Sequence, residues 1–122
     1  MTNDQKARPK FDLEDRTSVF AKNCIDLCKG LPRNSISNSL IGQLVRAAGS
    51  VGANYREAND SITRKEFFHK IGLCRREAKE SKYWLELIGH SEARYRNEAD
   101  RLSDEAFQLA KIFATIGKNG RI

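Results

Sequence analysis

The residues most able to do chemistry are few, and their spacings are poor. Three cysteines and two histidines occur in 122 residues. Cys24 and Cys28 stand four apart, and Cys74 lies far downstream. An odd number of thiols outside any CxxC or zinc-finger spacing reads as reduced, buried cysteine in a cytoplasmic protein, not as a disulfide framework. With His69 they could in principle meet as a metal site on adjacent helices, but nothing in the spacing selects it. A nucleophilic triad needs a histidine beside Cys or Ser and a carboxylate. His69 and His90 both sit in segments that read as exposed or helix-terminal. Glu66 and His69 have the Glu-x-x-His spacing of di-iron bundles once, whereas such a site takes two copies and further inward glutamates. No phosphate-cradling glycine loop, HExxH or EF-hand motif is present. The sequence points to no enzyme, no metal and no cofactor.

Charge offers two constellations instead. Arg64, Lys65, Arg75, Arg76, Lys79 and Lys82 crowd one segment, with Tyr83 nearby as a stacking ring. Clustered Lys and Arg bind phosphate backbones by releasing condensed counterions, so RNA or DNA is the partner they suggest. Residues 61–90 hold seven Lys and Arg against four Glu, and supply +3 of the net charge of +6. Glu66, Glu77, Glu80 and Glu86 dilute the cluster. In a monomer it reads as a solvated, salt-bridge-laced face, and a symmetric oligomer would multiply it. The second constellation is a polar row, Gln43, Arg46, Ser50, Asn54 and Glu57, spaced 3-4-4-3 on one helical face. It reads as a hydrogen-bonded network to a neighbouring helix or subunit, with Arg46 reaching Glu77 or Glu80, because a buried Arg needs a carboxylate. A ligand site is the weaker alternative.

The elements that must position these residues are helices. Hydrophobic residues make up 39% and charged residues 31%, which fits a globular chain rather than a disordered one. The length suits one domain that folds without staples. The polar N-terminus has no apolar run resembling a signal peptide, and no stretch approaches the ~20 apolar residues of a membrane span. Asp12 predicts an N-cap, Leu13, Phe20, Cys24, Leu27 and Cys28 a buried face, and Gly30 with Pro32 a stop through a left-handed glycine cap. A second helix is expected from the Asn34–Asn38 cluster to about Asn59, with Leu40, Leu44, Ala47, Val51 and Ala58 inward. Gly49 and Gly52 inside it cost about 1 kcal/mol each relative to Ala, which predicts a close neighbouring backbone and makes this the most buried helix. Thr63 and Glu66 form a capping box for a third helix, whose Phe67, Ile71, Cys74, Ala78, Ser81, Leu85 and Ile88 repeat at 4-3-4-3-4-3. Phe68, Tyr83, Trp84 and Leu87 lie off that stripe and suggest a further neighbour, here another subunit. After Gly89 and a polar turn, Ala99, Leu102, Ala106, Leu109, Phe113 and Ile116 predict a fourth helix ending before Gly117. The expected fold is an all-α, antiparallel up-and-down four-helix bundle over 12–117, with a basic tail at 1–11 and a short tail at 118–122.

The runs Gln43-Leu44-Val45-Arg46, Ser50-Val51-Gly52-Ala53-Asn54-Tyr55-Arg56-Glu57-Ala58, Lys65-Glu66-Phe67 and Lys79-Glu80-Ser81-Lys82-Tyr83-Trp84-Leu85 give the chain a family likeness. With Leu31-Pro32, they make residues 11–117 resemble the bacterial four helix bundle protein family. That family includes proteins encoded within intervening sequences of large-subunit ribosomal RNA genes. The resemblance implies a homopentamer with a central channel, related to the accessory protein of diversity-generating retroelements that works with a reverse transcriptase and its RNA. Many members carry Ile-Ala-Glu-Gly where this chain has Tyr55-Arg56-Glu57-Ala58, so no role tied to that glycine transfers. Two functions remain: a homo-oligomer that binds RNA or DNA, or a scaffold for a protein partner such as a nucleic-acid enzyme.

Overall fold

The computed structural model describes residues 12–119. The Asp12 side chain accepts a hydrogen bond from the Asp15 amide at 3.2 Å and opens α1, Leu13–Gly30, with Glu14 and Asp15 at the positive end of the helix dipole. The end of α1 differs from the expected glycine cap, because no described glycine has a positive φ. Instead Leu31 becomes extended, at φ −75° and ψ 147°, as a residue before proline prefers. Gly30 answers another need: a Cβ there would stand 3.0 Å from the Tyr95 hydroxyl, which donates to the Gly30 carbonyl at 2.7 Å.

Asn34 caps α2, Ser35–Asn59, by accepting from the Ser37 amide at 2.9 Å. Thr63 caps α3, Arg64–Ser91, by accepting from the Glu66 amide at 3.1 Å. The return bond of the box goes to the Ile62 amide, 3.4 Å from Glu66 Oε1, so the two side chains still satisfy free donors at this helix start. A 3-10 turn, Ala93–Tyr95, leads into α4, Arg96–Asn119. This last helix overruns its expected stop: Gly117 is helical, and a Cβ there would come within 3.9 Å of Ile71 on α3. Helix continues wherever packing on a neighbour outweighs the propensity cost of glycine. Lys118 and Asn119 are therefore helical, while the expected tail at 1–11 and residues 120–122 lie outside the described residues.

Packing joins α1 to α2, α2 to α3, α3 to α4 and α4 back to α1, the closed ring of an all-α up-and-down four-helix bundle. Its core is the set of expected stripes, with Phe20, Leu27, Leu44, Val51, Ile71, Leu85, Ile88, Leu109 and Phe113 all fully buried. One expectation about α2 fails. Gly42, Gly49 and Ala53 are exposed, so α2 is not enclosed more than its neighbours, and a Cβ on Gly42 or Gly49 would meet nothing within 4 Å. Only Gly52 has a close neighbour, and it is a side chain rather than backbone. Its Cβ would lie 2.9 Å from Thr17 Oγ1, on a buried hydroxyl that donates to the Leu13 carbonyl at 2.6 Å. Among the described residues no helix is long and apolar enough to cross a membrane.

Candidate nucleic-acid interface

Rotation of α3 decides where its charges go. Positions 75, 79, 82 and 86 follow one another at 4-3-4 and form one row along the helix edge. That edge meets α4, and the seam is a groove of about 450 Å³ lined by Arg75, Lys79, Lys82, Tyr83 and Glu86 from α3 and Phe107, Ala110, Lys111 and Ala114 from α4. A second depression of about 380 Å³, lined in part by Phe68, Gly72, Phe113 and Lys118, shares Arg75 and Ala114 with the first. The two together make one trough along the α3–α4 seam. Lys82 is held at 2.6 Å by Glu86. Lys111 Nζ stands 5.2 Å from the centre of the Phe107 ring, and no described carboxylate pairs with Arg75, Lys79 or Lys111.

The remaining expected cations lie elsewhere. Arg64 and Lys65 are exposed in the first turn of α3, with the Arg64 guanidinium 5.3 Å from the Phe68 ring centre. Arg76 leaves the groove and approaches Glu77 Oε2 at 3.5 Å, toward α2. The six residues therefore form a groove set of three, a pair at the helix start and one residue on the opposite flank. Lys111, Lys118 and Phe107 lie in the last segment, residues 91–122, whose net charge of only +1 does not mark them out. Their trace in the sequence is a row Phe107, Lys111, Ala114 and Lys118, again at 4-3-4 on one face.

The polar row of α2 faces the other flank of α3. Arg46 contacts Glu77 Oε1 at 3.3 Å and also bonds to Glu80 Oε1, which accepts from Trp84 Nε1 at 3.2 Å. The buried member of this cluster is Glu77, at 7% exposure, while Arg46 keeps 48%. Ser50 donates to the Arg46 carbonyl at 2.8 Å, and Asn54 to the Ser50 carbonyl at 2.9 Å, so these two bond along their own helix rather than across. Glu57 pairs with Lys70 at 2.7 Å, a bond that raises the Lys70 pKa. Gln43 is exposed.

The off-stripe apolar residues do not all share a surface, although the Tyr83 and Trp84 rings meet at 5.2 Å between centroids. Phe68 lines the α4 side, Trp84 leans on Glu80 toward α2, Tyr83 is exposed between them, and Leu87 is half-buried. They separate because positions 68 and 84 lie far apart around the helix, whatever their distance from the core stripe.

Cys24, Cys28 and Cys74 are free and buried among core side chains, whereas His69 is exposed, so the four do not meet. Burial pushes the Cys28 thiol up to about 11 and the Cys74 thiol up to about 12, so both are protonated and weak nucleophiles near neutrality. His90 is also exposed.

Residues 10–115 match the family described as 23S rRNA-intervening sequence protein, and the chain belongs to that family. It is similar to a solved structure from Bacteroides thetaiotaomicron VPI-5482, a protein with unknown function from the S23 ribosomal protein family. The two are 30% identical, with a TM-score of 0.78 over 86% of this chain and 97% of that one. No curated protein matches the chain.

Proposed function

We propose that this chain is a non-catalytic, cytoplasmic, self-associating bundle that binds RNA or DNA through the basic face of α3. The observation that carries the reading is the convergence of Arg75, Lys79 and Lys111 on one seam with no described carboxylate to neutralise them. Unpaired cations lining a groove raise the local potential where a phosphate chain would lie. Lys82 joins them at reduced strength beside Glu86, and Arg64 and Lys65 extend the field toward the start of the helix. The family's tie to intervening sequences of 23S rRNA supports the same class of partner. Self-association, with the pentamer implied by the family resemblance, would repeat the groove around an axis. Exposed Val19, Ile25 and Val45 give the bundle apolar surface to cover.

A salt titration of fluorescently labelled RNA tests the reading. Binding should weaken steeply between about 50 and 200 mM salt, with a logarithmic slope that counts the phosphates neutralised. Arg75→Glu with Lys79→Glu should flatten that slope and leave the melting temperature in place, since exposed charges contribute little to folding. Arg76→Glu, on the other flank, should act less on binding than either. Light scattering on the same samples reads the assembly. No binding at about 50 mM salt, or equal binding by the double variant, overturns the reading and transfers it to a scaffold for a protein partner.

A further inference from the structure

We propose that the α3–α4 trough is a slot for single-stranded nucleic acid, in which bases stack on Tyr83 and Phe107 while phosphates meet Arg75, Lys79 and Lys111. The proposal rests on the nucleic-acid reading above and adds which form of nucleic acid the site takes. Electrostatics alone favours any polyphosphate, so the rings are what discriminate. Tyr83 is 53% and Phe107 44% exposed, one on each wall of the same groove. The Tyr83 ring leans on Trp84, 5.2 Å between centroids, and its remaining face and that of Phe107 border a groove whose rim carries the cations. A folded protein partner would have to bury those unpaired cations, whereas a nucleotide strand supplies both what the rings need and what the cations need.

The length of the groove suits a short run of single strand. Arg75 to Glu86 spans eleven residues of helix, about 16 Å at the α-helical rise, the length of a few nucleotides. Between the two walls the floor is Ala110 and Ala114, small side chains that let a flat base approach the helix surface. A paired base presents only its edges and would hold its faces away from the rings. Lys111 Nζ lies over the face of the Phe107 ring, 5.2 Å from its centre, so a base stacking on that face displaces the ammonium, which is then free to meet a phosphate of the same strand.

The test compares three probes on the intact chain: a short labelled oligouridylate, the same length of abasic strand, and an RNA duplex, all at low salt. Abasic and natural strands carry the same phosphates, so their difference isolates the bases. The expected result is tighter binding of the oligouridylate than of the abasic strand, with Tyr83→Ala and Phe107→Ala each weakening the former about fivefold or more. Neither variant should change binding of the abasic strand, and Phe107→Tyr should restore binding. Equal binding of natural and abasic strands, or tighter binding of the duplex, overturns the stacking slot and leaves the basic face as a general phosphate binder. Binding of none of the three overturns the slot together with the nucleic-acid reading. A change of oligomer mass in Tyr83→Ala or Phe107→Ala overturns the slot as well, because it makes the rings contacts between copies.

Discussion

On the flank of α3 that faces α2, charges meet charges. Arg46 holds Glu77 and Glu80, Glu57 holds Lys70, and Trp84 donates to the same Glu80. Along the flank that faces α4, Arg75, Lys79 and Lys111 gather without a described carboxylate, and the aromatic neighbours face water. The two flanks belong to one helix with interleaved Lys, Arg and Glu, yet one is closed electrostatically and the other is open. Net charge of a segment is therefore a poor guide to its surface: the +3 of residues 61–90 comes to expression on one side only. A paired flank fixes how two helices meet, and an open one is left to a partner.

Removing one cation from each flank should show the contrast most clearly. Breaking a buried ion pair costs about 3–5 kcal/mol and an exposed one at most about 1 kcal/mol. Arg46 lies between these, half-exposed against a buried Glu77 that Arg76 still approaches. Arg46→Ala should then cost about 2 kcal/mol of unfolding free energy in urea, whereas Lys79→Ala should stay within about 0.5 kcal/mol of wild type. Equal losses at both sites would erase the distinction between the flanks.

The inner and outer sides of α2 repeat the contrast without charge. Gly52→Ala pushes a methyl group against Thr17 and should cost about 1–2 kcal/mol, as overpacking of a core does. Gly49→Ala meets nothing within 4 Å and should gain up to about 1 kcal/mol from helix propensity. If Gly49→Ala instead lowers the melting temperature or the oligomer mass, a second copy packs on that face of α2 and Gly49 has the close neighbour that this chain alone does not provide.

A smaller effect should come from the seam between α1 and α4. Arg16 grips Glu105 with two bonds at 2.8 and 2.9 Å, about a third exposed on both sides, and the carboxylate holds the guanidinium pKa above its ordinary value. Glu105→Ala should cost up to about 1 kcal/mol, the range for a bidentate pair near the surface. Thermal melts in low and high salt check it, since screening should shrink the difference. A loss larger than that of Arg46→Ala would place the strongest electrostatic tie at α1 rather than on the α2 flank of α3.

What the sequence determined by itself is local. Asp12, Asn34 and Thr63 mark the helix starts, and the stripes from Leu13 to Cys28 and from Ile71 to Ile88 name the core, because capping and amphipathic period act within a few residues along the chain. The expectations that the structure overturns are of a different kind. Gly30, Gly49, Gly52 and Gly117 each depend on what lies across from them: the Tyr95 ring, open space, the Thr17 hydroxyl and Ile71. The candidate site shows the same limit. Arg75, Lys79 and Lys82 could be read as a row, and Phe107 and Lys111 as another, but only the packing of α3 on α4 brings the rows together. That same rotation turns Arg76 toward Glu77. Lys82 finds Glu86 within its own helix, but for Arg46, Arg75 and Lys79 it is the neighbour across the seam that leaves the charge paired or open, a distance no spacing within one helix contains.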